Sequence, residues 1–318
     1  MINISIVVPV YNEEGNVAQL HREIKETCEK AGYDYEIIFV NDGSGDGTDK
    51  ICRTLVPLKY IRFRKNFGQT AAMDAGIKAS TKEFIATLDG DGQNDPADIP
   101  RMMDYLLEKD LDVVSGWRKN RKDTFMKRFA SRGANFLRYL LIHDGIHDSG
   151  CSLKVYRREC FKGVNLYGEQ HRFIPAILQI KGFRVGEVVV NHRPRTSGTT
   201  KYNWKRTIKG FVDMVSVWFW HKYASRPLHL LGGLGLLFGM AGGACGIWSI
   251  VLFAQGRKMS NNVIPPILTV FFIIMAVLMF IFGLISEMLM KTYYGVHVDA
   301  SYSIKEIAEI KKEDIREE

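Results

Sequence analysis

Two aspartates stand two residues apart in the run Asp89-Gly90-Asp91-Gly92-Gln93, just after the apolar stretch 84–88. Carboxylates leaving a buried strand at that spacing can share one hard cation through oxygen ligands, and Mg2+ and Mn2+ both suit such a set. Gln93 offers a neutral oxygen beside them. A cation held there would bridge a diphosphate and neutralise its charge as it departs. D-x-D alone is a weak signal, because acidic turns are common; its place at a strand end gives it weight. A second cluster, Asn41-Asp42-Gly43-Ser44, closes the run 35–40. Asp42 can accept hydrogen bonds from a base or a ribose, and the glycines allow close backbone approach. The glycines at 43, 45 and 47 are not spaced G-x-G-x-x-G and follow the second apolar run, not the first. No G-x-x-x-x-G-K occurs either, so a dehydrogenase and a P-loop ATPase are both excluded.

These clusters need elements to position them. Residues 4–10 read as a buried strand, 13–31 as a helix ended by Gly32, and 35–40 as a second strand. A strand over 60–63, a helix over 68–79, a strand over 84–88, a helix over 96–109 and a strand over 112–115 follow. This alternation predicts an α/β domain with a mostly parallel sheet covered by helices. Such sheets bind ligands beyond the carboxyl ends of their strands. Residues 11–13, 41–46 and 89–95 all lie at such ends, so three segments should converge on one crevice.

The composition changes after about residue 225. Neither 228–254 nor 263–286 contains Asp, Glu, Lys or Arg, and each exceeds the roughly 20 apolar residues that cross a bilayer. The connector 255–262 is short and polar, which predicts a hairpin with both chain ends on one side. Lys205, Arg206, Lys209, Lys222 and Arg226 precede the first span and Lys291 follows the second, against Arg257 and Lys258 in the connector. That imbalance places the N-terminal domain and the tail in the cytosol. Two amphipathic stretches read as interfacial. One, 124–142, carries Phe125, Phe129, Phe136, Leu137 and Leu140 on one face with Arg132 near its edge; the other, 204–223, supplies Trp204, Trp218, Trp220 and Tyr223. The net charge of +8 favours acidic partners; its placement beside the spans favours lipid over nucleic acid. The five cysteines show no metal or C-x-x-C spacing and read as reduced packing residues.

Val8-Pro9-Val10-Tyr11-Asn12-Glu13-Glu14, Asn41-Asp42-Gly43-Ser44, Asn66-Phe67-Gly68 and the Asp-x-Asp-x-Gln run occur in that order. Together they resemble the GT-A domain of family 2 glycosyltransferases, and within it the dolichyl- or undecaprenyl-phosphate sugar transferases. The resemblance covers about residues 3–225. It implies a Rossmann-like GT-A fold that inverts the anomeric centre of a nucleotide-sugar donor while transferring the sugar to a polyprenyl phosphate acceptor. It implies that Pro9, Tyr11, Glu13 and Asp42 line the nucleotide, that Asp89 lies near ribose and diphosphate, and that Asp91 and Gln93 hold Mg2+ or Mn2+. It also implies that Arg118 faces the phosphates or the acceptor, and that Arg132 reaches a lipid phosphate at headgroup depth. Arg195, Lys201 and Tyr202 match a basic acceptor loop. Asp148-Ser149-Gly150-Cys151 resembles an Asp-x-x-Ser-Gly-aromatic segment with shortened spacing, so Asp148 is either a sugar or acceptor contact or a turn residue. Residues 169–173 resemble a sugar-side segment and equally fit helix capping.

The implied plan is a catalytic domain over 1–203 with an interface helix about 120–143, a juxtamembrane helix over 204–226, a hairpin over 227–290 and a tail over 291–318. UDP is favoured over GDP, and a homo-oligomer is compatible with the sequence. A processive polysaccharide synthase would carry Gln-x-x-Arg-Trp, which Gln170-His171-Arg172-Phe173 does not match. A non-catalytic nucleotide-sugar-binding subunit would have no need of the intact Asp89/Asp91/Gln93 set.

Overall fold

The computed structural model describes residues 1–119, 145–194, 226–257 and 262–296, together with Val215, Trp218, Phe219, Lys222 and Tyr223. The chain divides into two compact units, Met1–Val217 and Trp218–Glu318.

The first unit is built on a seven-stranded sheet in the order β3-β2-β1-β4-β6-β5-β7. Its elements are β1 (Asn3–Val10), α1 (Val17–Lys30), β2 (Asp34–Asn41), α2 (Thr48–Cys52), β3 (Lys59–Arg62), α3 (Gln69–Ala79), β4 (Phe84–Thr87), α4 (Ile99–Glu108), β5 (Val113–Trp117), β6 (Lys154–Arg157), α5 (Ile174–Ile180) and β7 (Val185–Val189). Strands β3, β2, β1 and β4 pair in parallel, as do β5 and β7, while β6 runs antiparallel between β4 and β5. The predicted mostly parallel sheet is present.

A central strand covered on both faces must be apolar on both sides. β1 meets that demand, with every residue from Ile4 to Val10 buried. Its period of two deals side chains to alternate faces. Ile4, Ile6, Val8 and Val10 join Leu20 and Ile24 of α1 and Met102 and Leu106 of α4. Val7 joins Ile38, Val40, Met73 and Ile77 beneath α3. Each fully buried aliphatic side chain of this kind contributes about 1.5–3 kcal/mol.

The helix predicted from residue 13 begins instead at Val17. The intervening residues are held as a turn. Asn12 takes a left-handed φ of 55°, and the backbone N–H groups of Asn12 and Glu13 donate to the hydroxyls of Ser44 and Thr48 at 3.0 and 2.9 Å. Those bonds tie the end of β1 to the loop after β2 and to the first residue of α2. The segment expected as one helix over 96–109 opens with a 3₁₀ turn, Pro96–Asp98, capped by the Asp95 carboxylate on Ala97 N–H.

The second unit contains α6 (Pro227–Ala254, 28 residues) and α7 (Ile264–Val296, 33 residues). Both are long and apolar enough to cross a membrane. They pack antiparallel: Gly235 lies against Ala276 and Phe280, Gly242 against Ile273, and Gly246 against Thr269. A β-carbon at Gly235 would stand 3.0 Å from the Ala276 carbonyl oxygen, so glycine sets the spacing of the two backbones. Leu236, Ile247 and Phe253 point away from this contact and are exposed.

Gly235→Leu should therefore lower the thermal unfolding temperature in detergent, by an overpacking cost of about 1–3 kcal/mol. Gly233, where a β-carbon would meet nothing within 4 Å, is the control: Gly233→Leu should leave unfolding unchanged or raise its temperature. Equal effects at both positions would refute the close-approach role of Gly235.

Candidate active site

The carboxyl ends of β1, β2 and β4 meet, and their loops are stitched together by backbone donors. Gly43 at the end of β2 has φ 69°, and a β-carbon there would collide with the backbone of Lys65. Glycine is required for that approach. Asp42 beside it is 3% exposed. Its two carboxylate oxygens accept the Phe67 and Gly68 N–H groups at 2.6 and 2.9 Å, so its charge holds the loop ahead of α3. Each oxygen keeps a further lone pair for a ligand donor. Asn41 fixes the other side of the loop: its Oδ1 accepts Ser44 N–H at 2.8 Å, and its Nδ2 donates to Tyr60 Oη at 2.7 Å. Pro9 is buried and Glu13 half-buried, and the Glu13 carboxylate accepts Asn16 Nδ2 at 2.6 Å. Tyr11 is 40% exposed at the rim.

The Asp89–Gln93 loop lies directly against β1. A β-carbon on Gly90 would stand 2.9 Å from the Pro9 carbonyl oxygen, so this glycine lets the two loops touch. Asp89 is clamped on both oxygens: Gln69 Nε2 donates to Oδ1 at 2.6 Å, and the Ser152 hydroxyl donates to Oδ2. Burial, then the charge of Asp91, raises the Asp89 carboxyl above its ordinary range. Asp91 is 8% exposed and accepts Gln93 N–H at 3.1 Å. Two such carboxylates in one recess favour an oxygen-liking divalent cation. Among the described residues no group of three or more His, Cys, Asp and Glu converges, so substrate oxygens and water would fill the remaining positions. That division of ligands suits Mg2+ and Mn2+. Gln93 sits at the edge of the recess, and its Nε2 is turned to the Arg193 carbonyl oxygen at 3.5 Å.

The far side of the crevice is built by β5, β7 and the segment before β6. Arg118 follows β5 and forks onto Asp148: Nε to Oδ2 at 2.7 Å and Nη2 to Oδ1 at 2.9 Å. Only 10% of the Arg118 side chain and 16% of that of Asp148 are exposed. Burial opposes the Arg118 charge, but the hydrogen bond and charge of Asp148 outweigh it and raise the guanidinium further. Glu187 of β7 accepts the N–H groups of His147 and Asp148 at 3.0 and 2.9 Å, which roots Asp148 in the sheet. The fork of Arg118, expected to face phosphate, is thus directed at Asp148, and Asp148 is half of an ion pair. Lys154, at the start of β6, is 2% exposed. Burial pulls its ammonium down to about 8, against the raising influence of Asp148 and Asp89.

Arg132, Arg195, Lys201 and Tyr202 lie outside the described residues, as do the interface helix about 120–143 and most of 204–226. The 169–173 segment forms a short 3₁₀ turn in which His171 is buried, with Nδ1 2.7 Å from the Thr70 hydroxyl. Gln69, Thr70, Ser152, Lys154 and Glu187 escaped the sequence reading. The available signal for the first two was their position just after Asn66-Phe67-Gly68, and for Ser152 its position just after Asp148-Ser149-Gly150-Cys151.

A family model described as glycosyl transferase family 2 matches residues 5–164. The chain is 38% identical to the dodecaprenyl-phosphate galacturonate synthase of Rhizobium johnstonii, over 96% of this chain and 93% of that protein. It is 28% identical to the undecaprenyl-phosphate 4-deoxy-4-formamido-L-arabinose transferase of Proteus mirabilis, over 99% of this chain and 97% of that one. Among solved structures it resembles the glucosyl-3-phosphoglycerate synthase of Mycobacterium tuberculosis in complex with Mn2+, UDP and glucosyl-3-phosphoglycerate. There the TM-score is 0.55 at 14% identity, over 69% of this chain and 80% of that one, a likeness of fold.

The Arg118–Asp148 pair predicts a stability pattern. Arg118→Met removes the guanidinium that engages both oxygens of the buried Asp148 carboxylate and should destabilise the protein by about 3–5 kcal/mol. Arg118→Met combined with Asp148→Leu should recover most of that loss in denaturant unfolding. If the double variant is no more stable than the single one, the pair is not the source of the effect.

Proposed function

The chain belongs to glycosyl transferase family 2, and on that premise we propose that it transfers a sugar from a UDP-linked donor to a polyprenyl phosphate, with inversion, at the cytosolic face of a membrane. The observation that carries this reading is the Asp89/Asp91 recess, set between the nucleotide-side loops and the buried Arg118–Asp148 pair. The alignment with two polyprenyl-phosphate sugar transferases over nearly the whole chain supports the acceptor. The 38% relative makes a galacturonate donor the first to test.

Pro9, Tyr11, Glu13 and Asp42 line the nucleotide in this reading, with the exposed Tyr11 ring at the rim and Asp42 offering its remaining lone pairs. Asp89, Asp91 and Gln93 would hold Mg2+ or Mn2+, which when bound supplies positive charge for the departing nucleoside diphosphate. Asp89 enters that role already oriented by Gln69 and Ser152. Arg132, Arg195, Lys201 and Tyr202 hold the acceptor phosphate at headgroup depth. The catalytic domain runs to about 203, an amphipathic helix over 204–226 lies in the interface, and α6 and α7 anchor the chain with the tail in the cytosol. The excess of lysine and arginine outside the connector supports that orientation.

A phosphate monoester is already mostly dianionic near neutral pH, since its second pKa is about 6. It is a ready nucleophile and needs positioning, not deprotonation. Asp148, with both oxygens engaged by Arg118, suits such a site: it orients a cation and is not held ready to take a proton.

Label from a radioactive UDP-sugar should appear in the lipid extract only when polyprenyl phosphate and divalent metal are both present. Label in polymer would instead identify a processive synthase, and bound but unreacted donor a non-catalytic subunit. Asp91→Asn should lower turnover on the order of 10²-fold or more. Asp148→Asn should cost less than the roughly 10²–10⁴-fold that loss of a general base brings. Equal losses at the two positions, with a pH–rate profile demanding a free carboxylate, would contradict the phosphate-acceptor mechanism.

A further inference from the structure

β6 opens on Lys154, which lies opposite Thr87 of β4 and Ser115 of β5. Directly opposed residues of antiparallel strands project to the same face. Thr87, Lys154 and Ser115 therefore form one polar row across three strands. Two residues along the same face stand Ile85, Tyr156 and Val113, all within the apolar cluster under α3 and α5. The row caps that cluster at the crevice end of the sheet, and Lys154 is among its most deeply buried side chains.

The surroundings of Lys154 are unusual for an ammonium group. It carries three donors, and among the described residues its hydrogen-bond acceptor is the Ser149 carbonyl oxygen at a long 3.4 Å. The neighbouring Ser115 hydroxyl is buried with no hydrogen-bond partner among the described residues. Taking an ammonium out of water is costly unless other charges compensate it. The compensating charges are Asp89 and Asp148, with the Arg118 cation working against them. The chain segment entering β6 touches both carboxylate loops: Ser152 donates to Asp89, and Ser149 follows Asp148 directly. Lys154 thus sits between the loop that would hold the cation and the loop that carries the Arg118–Asp148 pair. A side chain kept for packing alone would be apolar here, at no desolvation cost.

We propose that Lys154 is a positioning residue of the transfer site, a fixed buried cation that biases the recess toward the nucleoside diphosphate rather than toward the metal alone. The inference rests on the family 2 reading of Asp89 and Asp91. The charge count makes it specific. Asp89, Asp91 and Asp148 contribute three negative charges, and Arg118 and Lys154 two positive ones. Without Lys154 the recess is one unit more negative, which attracts a divalent cation more strongly and a diphosphate less. Its ammonium acts through the field at Asp89, and no contact with substrate is required.

The test uses the full chain in detergent, with calorimetric titration of Mn2+ alone and of UDP at saturating Mn2+. Lys154→Met keeps the volume and should fold with an unfolding temperature at or above that of the parent. It should bind Mn2+ as tightly as the parent or more so, bind UDP about tenfold more weakly, and lose turnover through kcat. Lys154→Arg keeps the charge and should recover part of the UDP affinity. Opposite shifts for metal and nucleotide cannot arise from a generally loosened site. Equal weakening of both ligands, unchanged UDP affinity in Lys154→Met, or a folded Lys154→Arg that binds UDP no better than Lys154→Met would each overturn the proposal. If the parent chain binds neither Mn2+ nor UDP, the family 2 reading of the recess falls, and this inference with it.

Discussion

The first unit is organised around carboxylates brought close together in a place where water cannot fully screen them. Asp89 is clamped by Gln69 and Ser152, Asp91 is 8% exposed two residues away, and burial together with the Asp91 charge makes Asp89 harder to keep ionised. A fold relieves that conflict by moving the groups apart, by protonating one, or by admitting a cation. Here the backbone forbids the first, because Gly90 lies flush against the Pro9 carbonyl and the loop has nowhere to retreat. The clamp on Asp89, in which both oxygens accept hydrogen bonds, favours its ionised form and holds it in place. The arrangement is preorganised for a positive charge, and the parallel strands around it position the loops that would bring one.

The supporting structure shows how such a site is kept rigid. The Asn12–Glu14 turn, the Asn41–Thr48 loop and the segment ahead of α3 are joined by backbone N–H groups donating to side-chain oxygens: Asn12 to Ser44, Glu13 to Thr48, Phe67 and Gly68 to Asp42. Each bond satisfies a loop donor that would otherwise need water. Residues 67–70 act as a hub, with consecutive groups reaching Asp42, Asp89 and His171. Three loops from distant parts of the chain are thereby fixed to the first turn of one helix.

Much of this was legible in the sequence where one physical rule dominated. β1, β2 and β4 are covered on both faces, so they read as unbroken apolar runs, and the polar clusters after them marked the crevice. α6 and α7 were legible because a span without charges has few alternatives. The start of α1 was not: the local pattern from Glu13 does not show that these residues form a turn fastened to Ser44 and Thr48, which lie more than thirty residues away. β6 was invisible because Lys-Val-Tyr-Arg carries a cation at each end and looks like a surface segment, yet Lys154 and Tyr156 are wholly buried. The Gln69–Asp89, Ser152–Asp89 and Arg118–Asp148 pairs depend on long-range placement, which no local pattern encodes.

The state of Asp148 connects this architecture to the choice of acceptor. A transferase acting on a hydroxyl needs a group to receive a proton, and an efficient base keeps a lone pair aimed at the reacting atom with a proton affinity suited to the task. Asp148 has both oxygens engaged by a buried guanidinium and its backbone N–H held by Glu187. Such a pairing aims both carboxylate oxygens at a fixed cation rather than at a reacting atom, the reverse of what a base requires. A phosphate acceptor brings its own negative charge and asks for no such service. What it asks for is cationic surroundings that offset repulsion between two anions, and a site in which Asp148 is already matched to a fixed cation meets that demand at less electrostatic cost. Spending Asp148 on Arg118 is thus a coherent feature of a site that joins two phosphate-bearing substrates, and would be a wasteful one in a site built to deprotonate an alcohol.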